Sequence, residues 1–450
     1  MNKISHIILA SILLLSFWGC SKKETKTLKN IHVEVFPSQE EHTHGSTIVE
    51  LPNGDMLAAW FQGHGERWAD DVRIMGARLL KGQDKWTKSF VMADVPDFPD
   101  INPVLFIDKR ETLWLVWYTV IANQWETSLP KYTISNNYMQ KEGPPVWEWQ
   151  DIIYFKPGDA TERGIQPNDK FVKSVSTQLE TTRINLKTMG ATDEQLTMFD
   201  GFADNMLFKV RGENMIKSGT VYLNDSVRES KKLGYPYFRR MGWQTKNKPL
   251  QLDNKIILPF YSDGLDFSIM AITEDYGKSW TFSDPLVGIA NIQPTLAVKK
   301  NGEIVAYMRD NGPPPKRHSL SESKDGGVTW SDVIDSDVVN EGSGSDIVTL
   351  SNGNWVLAYN DTEDGRYTLA VSISEDEGKS WKYTRHLAQD LKEDSDKRDK
   401  FSYPSIIQGK DGMIHVVYTK QKYNTHPDDA DNIKYTRFTE EWIKLGDNNN

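Results

Sequence analysis

Three eight-residue segments constrain this chain more than anything else in it: TEDYGKSW at 273–280, SKDGGVTW at 323–330 and SEDEGKSW at 374–381. They recur about fifty residues apart, a period typical of propeller blades. Each places Ser or Thr, then Asp, Gly and a closing Trp in one order. The Asp can bond the backbone of its own turn, the Gly supplies an unusual φ, and the Trp packs between strands. These features stabilise turns and carry no obvious chemistry.

A second repeat runs through residues 45–60, 102–118, 248–261, 293–309, 344–360 and 403–419. Each segment opens with Pro or a small residue, runs through an apolar strand, turns at an Asn/Asp-Gly type step and returns as a second β-rich strand. Six hairpins imply an all-β, six-bladed β-propeller of four short strands per blade. The third blade must be assembled around the long stretch 119–247. Within it, Thr192 and Gln195 can form a capping box, so 155–230 reads as a partly helical insertion over one face, a lid or a decoration. The 15 Trp and 17 Tyr agree with β-structure.

The chain divides into 1–20, an apolar leader ending at Cys20; 21–38, a polar tether; 39–440, the propeller; and 441–450, a tail. The basic MNK start, the short apolar run and Gly19-Cys20 resemble a bacterial lipoprotein signal, which implies lipidation at Cys20 and residence at the cell envelope. Contact with membrane is expected through that lipid alone. With Cys20 the only cysteine, disulfides within the chain and cysteine-based zinc sites are excluded. Net charge is -10 without a basic-aromatic stretch, so nucleic acid is not an expected partner. No metal or other cofactor is expected, and the chain is expected to be a monomer.

If the first strand of each hairpin lines the central channel, its start and the end of the returning strand lie on one face of the disc. The starts are His44-Gly45, Ile101-Asn102, Asn247-Lys248, Ile292-Gln293, Ser343-Gly344 and Ser402-Tyr403. The ends include Tyr118, Ser262-Asp263 and Arg309-Asp310. Apolar strands thus end repeatedly in polar groups around one channel mouth, the place to look for chemistry. The histidine of HTHGS, His44, stands there.

From about residue 40 to 440 the chain resembles a sialidase-like propeller of the BNR/Asp-box type. In that resemblance three arginines clamp a substrate carboxylate, a Tyr–Glu pair supplies the nucleophile and an Asp is the acid/base. His44 stands where the first arginine is expected. Arg309 in AYMRDNG matches the second, Arg366 in DGRYTLAV the third, and Tyr403 in SYPSII the tyrosine. Gln293 in NIQPTL falls at the glutamate, and Asp70 or Asp71 in ERWADDVRI at the acid/base.

The departures change the chemistry implied. A tyrosine with an ordinary pKa near 10 is a poor nucleophile without a base, and Gln293 cannot serve as one. The remaining set suits a uronic acid, whose carboxylate sits beside an acidic C5 proton. Arg309 and Arg366 would neutralise the carboxylate, with His44 or Tyr403 moving the proton in a β-elimination, lyase or dehydratase by leaving group. Gln293, His64 in GHGERW and Tyr118 complete the expected contacts to the sugar. The expected substrate is therefore an acidic oligosaccharide, attacked at its non-reducing end. Sialidase-type hydrolysis and non-catalytic glycan binding are the alternatives.

Overall fold

The computed structural model describes residues 31–36, 41–159, 161, 165–166, 168–211, 239–423 and 432–447. The leader, Cys20 and the start of the tether lie outside them. Six antiparallel sheets follow one another along the chain. The first holds His42–Glu50, Met56–Gly63, Arg73–Leu79 and Phe90–Ala93; the second Asp100–Ile107, Leu113–Val120, Ser128–Ser135 and Trp149–Ile152. In the third, Gln244–Thr245 and Leu250–Leu252 both pair with Lys255–Ser262, which pairs with Phe267–Thr273 and through it with Thr281–Phe282. The fourth holds Asn291–Val298, Ile304–Asp310, Arg317–Ser323 and Ile334–Val339; the fifth Asp346–Thr349, Trp355–Tyr359, Thr368–Ser374 and Tyr383–Gln389. All six sequence hairpins lie where the innermost strands of these six blades stand, and the fold is the expected six-bladed propeller.

The sixth blade departs from expectation. Its inner three strands are Lys400–Gln408, Ile414–Gln421 and Asn432–Phe438, and the fourth is Ile31–Glu34 from the other end of the chain. Ile31 pairs with Arg437 and Glu34 with Lys434, whose ammonium also bonds the Glu34 carboxylate. Residues 31–34 are therefore blade and not tether, and by pairing with the last strand of the chain they join its two ends within one sheet. The expected tail is also partly structured: Glu440–Lys444 form a short helix that buries Trp442 and Ile443 against the fifth and sixth blades.

The apolar core of the described residues divides into six clusters, one at each interface between adjacent blades. Strands apolar on both faces, such as LWLVWYTV at 113–120, follow directly, since each inner strand is covered on two sides. The insertion supplies α1 (Lys170–Thr188) and α2 (Asp193–Val210). Asp169 caps α1, and Thr192 with Gln195 forms the expected capping box on α2. Phe171, Val175, Phe199 and Met206 join Trp243 and Phe267 in the cluster between the second and third blades. The helices thus extend a blade interface, and no described residue of 155–230 lines the channel mouth. Residues 212–230 of the expected insertion lie outside the described ones.

The three Asp-box turns are nearly superposable in their hydrogen bonds. Thr273, Ser323 and Ser374 each donate to the following Asp at 2.9 Å. The backbone N–H groups of Gly277, Gly327 and Gly378 donate back to those hydroxyls at 2.8, 2.9 and 2.7 Å. Ser279, Thr329 and Ser380 close each turn onto Asp275, Asp325 and Asp376 at 2.6, 2.6 and 2.7 Å. All three join the third strand of a blade to the fourth. Strand alternation therefore puts them on the face opposite the starts of the inner strands.

Candidate active site at the channel mouth

Four inner strands carry the same irregularity at their starts. The register slips between His44 and Thr47, Ile101 and Val104, Ile292 and Thr295, and Ser402 and Ser405. One residue of each bulge is left-handed: Gly45 (φ 63), Asn102 (46), Gln293 (51) and Tyr403 (54). For the three that are not glycine this costs about 1–2 kcal/mol each. Bulges re-aim side chains beside functional sites, and strain of this kind concentrates there. Pro103, Pro294 and Pro404, which follow the strained residues, help fix the bend. Glycine is required at 45, where φ is 63 and a Cβ would collide with Asn102 Oδ1 and the Phe61 ring.

The result is a cavity of about 450 Å³ lined by His44, Phe61, Glu66, Ile101, Asn102, Tyr118, Trp125, Tyr261, Asp263, Gln293, Arg309, Asn311, Arg366 and Tyr403. At its centre the Tyr403 hydroxyl accepts hydrogen bonds from Gln293 Nε2 at 2.9 Å and Arg309 Nη1 at 3.1 Å. Arg309 reaches Asn311 Oδ1 at 3.2 Å with its other terminal nitrogen. Arg366 lies with its Cζ 5.7 Å from the Tyr403 ring centre and donates to Gly342 O at 3.0 Å. Its Nε is 3.5 Å from the buried carboxylate of Glu341. Burial drives Glu341 up to about 7 despite that arginine.

His44 packs on Tyr403 with ring centres 4.2 Å apart, and its Nδ1 bonds Thr419 Oγ1 at 2.9 Å. Burial first, and then the positive fields of His42, Arg366, Lys246 and Arg309, push the imidazole well below its ordinary pKa. It is neutral at pH 7, with Nε2 left for a ligand. Asn102 Nδ2 links the hydroxyls of Tyr118 and Tyr261 at 3.2 and 3.4 Å, and Gln293 Nε2 donates to Tyr261 as well, at 3.2 Å. Burial raises both of these phenols, which stay protonated. Beneath the floor, Lys246 donates to Pro404 O at 3.0 Å and is lowered by burial to about 8.

Six of the residues singled out from sequence meet here: His44, Tyr118, Gln293, Arg309, Arg366 and Tyr403. Asp70, Asp71 and His64 do not line the cavity. His64, largely exposed, pairs its Nδ1 with Asp71 Oδ2 at 2.5 Å, and Asp70 accepts from Asn123 Nδ2 at 3.0 Å. Their loop stands at the mouth, where Glu66 lines the cavity, but their own side chains fasten the loop and do not line it. Sequence reasoning missed Glu341, Lys246, Tyr261 and Glu66. Tyr261 was the most accessible of these, one residue ahead of the aligned Ser262-Asp263. Asp263, in that alignment, does line the cavity, accepts from Gln244 Nε2 at 3.0 Å and is raised by burial to about 6.

A tyrosine held by an arginine, with a second arginine at its ring, on the axis of an Asp-box propeller makes this a sialidase-like propeller. In sequence, the chain belongs to the BNR repeat-like domain family, whose pattern matches residues 54–151 and 238–416. No curated protein matches it in sequence. Among solved structures, a Dyadobacter fermentans protein of unknown function is similar at 11% identity and a TM-score of 0.59, over 92% of this chain and 99% of that one. The leech intramolecular trans-sialidase, solved with 2,7-anhydro-Neu5Ac, is similar at 12% identity and 0.60, over 92% of this chain and 71% of that one. The intramolecular trans-sialidase of Ruminococcus gnavus, solved with oseltamivir carboxylate, gives 12% and 0.58, over 92% and 97%. These likenesses establish the shared fold.

Proposed function

We propose that this protein is a carbohydrate-active enzyme of the bacterial cell envelope, anchored through Cys20, that acts on a terminal uronic acid by β-elimination. The observation that carries the reading is the neutral His44 packed on Tyr403, whose hydroxyl is held by Arg309 and Gln293, with no carboxylate among the described residues hydrogen-bonded to it. Arg309 and Arg366 seat the sugar carboxylate and so acidify the neighbouring C5 proton. His44 Nε2 removes that proton, and the C5–H electrons form the C4–C5 double bond. The C4–O bond breaks, and the leaving oxygen takes the Tyr403 proton. Imidazolium returns a proton to the tyrosinate, which resets the site. A departing sugar makes the enzyme a lyase, and a departing hydroxyl a dehydratase.

Hydrolysis is the second reading, favoured by the same two donors on Tyr403, which would stabilise charge on a nucleophilic oxygen. Incubation with uronate-terminated and sialylated oligosaccharides separates the two. Elimination gives the ultraviolet absorbance of an unsaturated uronate and loses it in His44→Ala. Released sialic acid without that absorbance establishes hydrolysis, and binding without turnover establishes a glycan-binding protein.

A further inference from the structure

The loop that carries Asp70 and Asp71 is built with care for something other than its carboxylates. Asn123 Nδ2 donates to Arg67 O at 2.8 Å and to Asp70 Oδ1 at 3.0 Å, fixing the loop to the second blade. The loop is closed on itself by His64 and Asp71, through Nδ1 and the His64 backbone N–H. Gly65 lets the Trp68 indole lie close over the loop, since a Cβ there would stand 2.5 Å from Trp68 Nε1. What these fastenings hold out is Arg67 and Trp68.

Trp68 is 53% exposed. The Arg67 guanidinium lies 5.5 Å from the Trp68 ring centre and 5.0 Å from that of Trp125. Trp125 lines the cavity and packs edge-on to Tyr118. Arg67 has no ion pair among the described residues, and its neighbour Asp70 is committed to Asn123. A cation bracketed by two indoles, one exposed and one opening into the sugar cavity, fits a flat sugar face with an anionic substituent at its edge.

We propose that Arg67, Trp68 and Trp125 form a second sugar subsite, which takes the residue next to the terminal acidic sugar and selects one bearing a sulfate or carboxylate. The inference rests on the acidic-sugar reading and gives it a substrate class, an oligosaccharide charged on adjacent residues. The indoles supply stacking area, and Arg67 supplies a planar, two-pronged anion contact.

Calorimetric titration of the intact protein tests it with four probes: glucuronic acid, an uncharged-neighbour glucuronate disaccharide, its sulfated counterpart and a diuronate. Expected is a gain of about tenfold or more in affinity for a charged disaccharide over glucuronic acid, with the sulfated and diuronate arms showing which anion is preferred. Arg67→Met should remove the advantage of the charged over the uncharged disaccharide, and Trp68→Ala the advantage of either disaccharide over the monosaccharide. Equal affinity for all four probes, or ratios unmoved in both variants, overturns the subsite while leaving the uronate reading intact. Failure of the uronate reading looks different: glucuronic acid itself does not bind. Trp68 is 53% exposed, so its replacement should leave the fold intact, and circular dichroism of the variant checks this.

Discussion

The two faces of the disc treat repetition in opposite ways. On the far face, three Asp-box turns repeat one hydrogen-bond pattern with one set of residue types. At the mouth, one backbone bulge repeats four times, yet it presents His44 beside Gly45, then Asn102, Gln293 and Tyr403. A turn that must satisfy its own donors has few solutions, so its residues recur. A bulge that only re-aims a side chain fixes the backbone and leaves the side chain free to differ. Structural repetition and chemical divergence are thus separated onto two surfaces of one molecule.

The sharpest test of that division is Tyr403→Phe. It removes one hydroxyl at the mouth, and turnover should fall by about two to four orders of magnitude, with the thermal unfolding curve little changed. An active Phe variant would mean that the chemistry lies elsewhere. The reciprocal substitution is Gly378→Ala on the far face. Gly378 has φ 84, and a Cβ there would lie 2.5 Å from the Tyr307 hydroxyl and 2.8 Å from Trp355. Denaturant titration should show a loss of about 2–3 kcal/mol, from left-handed strain plus displaced packing, with carboxylate affinity unchanged. A variant that folds normally but loses affinity would show the faces to be coupled.

The smallest effect expected is one of pH. Glu341, raised to about 7 by burial against the pull of Arg366, is protonated at lower pH and leaves Arg366 for the substrate. Above 7 its charge competes for that guanidinium, so affinity for a carboxylate ligand should fall as pH rises through about 7. The change expected is several-fold, and Glu341→Gln should flatten it. Calorimetry across that range measures both. His44 adds no titration there, being held neutral.

Much of this was legible in the sequence because it is local. The Asp boxes and six hairpins announce themselves within fifteen residues or so, and the innermost strands follow from them. The mouth followed in part, since strand starts and returning ends converge by topology alone. What sequence could not give was direction. Membership of a mouth-facing loop holds for Asp70 and Asp71 as it does for Glu66, yet only Glu66 lines the cavity. Glu341 and Lys246 escaped because they stand just outside the hairpins, and only packing brings them under Arg366 and Tyr403. Ile31–Glu34 escaped because four residues carry little pattern and their partner strand is some 400 residues away.

That strand has a consequence for how the molecule comes into being. Synthesis proceeds from the N-terminus, so Ile31–Glu34 is made first among the described strands and its partner, Asn432–Phe438, last. Every intervening sheet can form from neighbours already present, but the ring stays a broken arc until the final strand arrives. During that interval a bare edge waits for a mate and could take one from another chain. The waiting strand is only four residues long and carries the charged Glu34, a poor template for a stranger. Its brevity, which hid it from the sequence, is also its safeguard in a crowd of nascent chains.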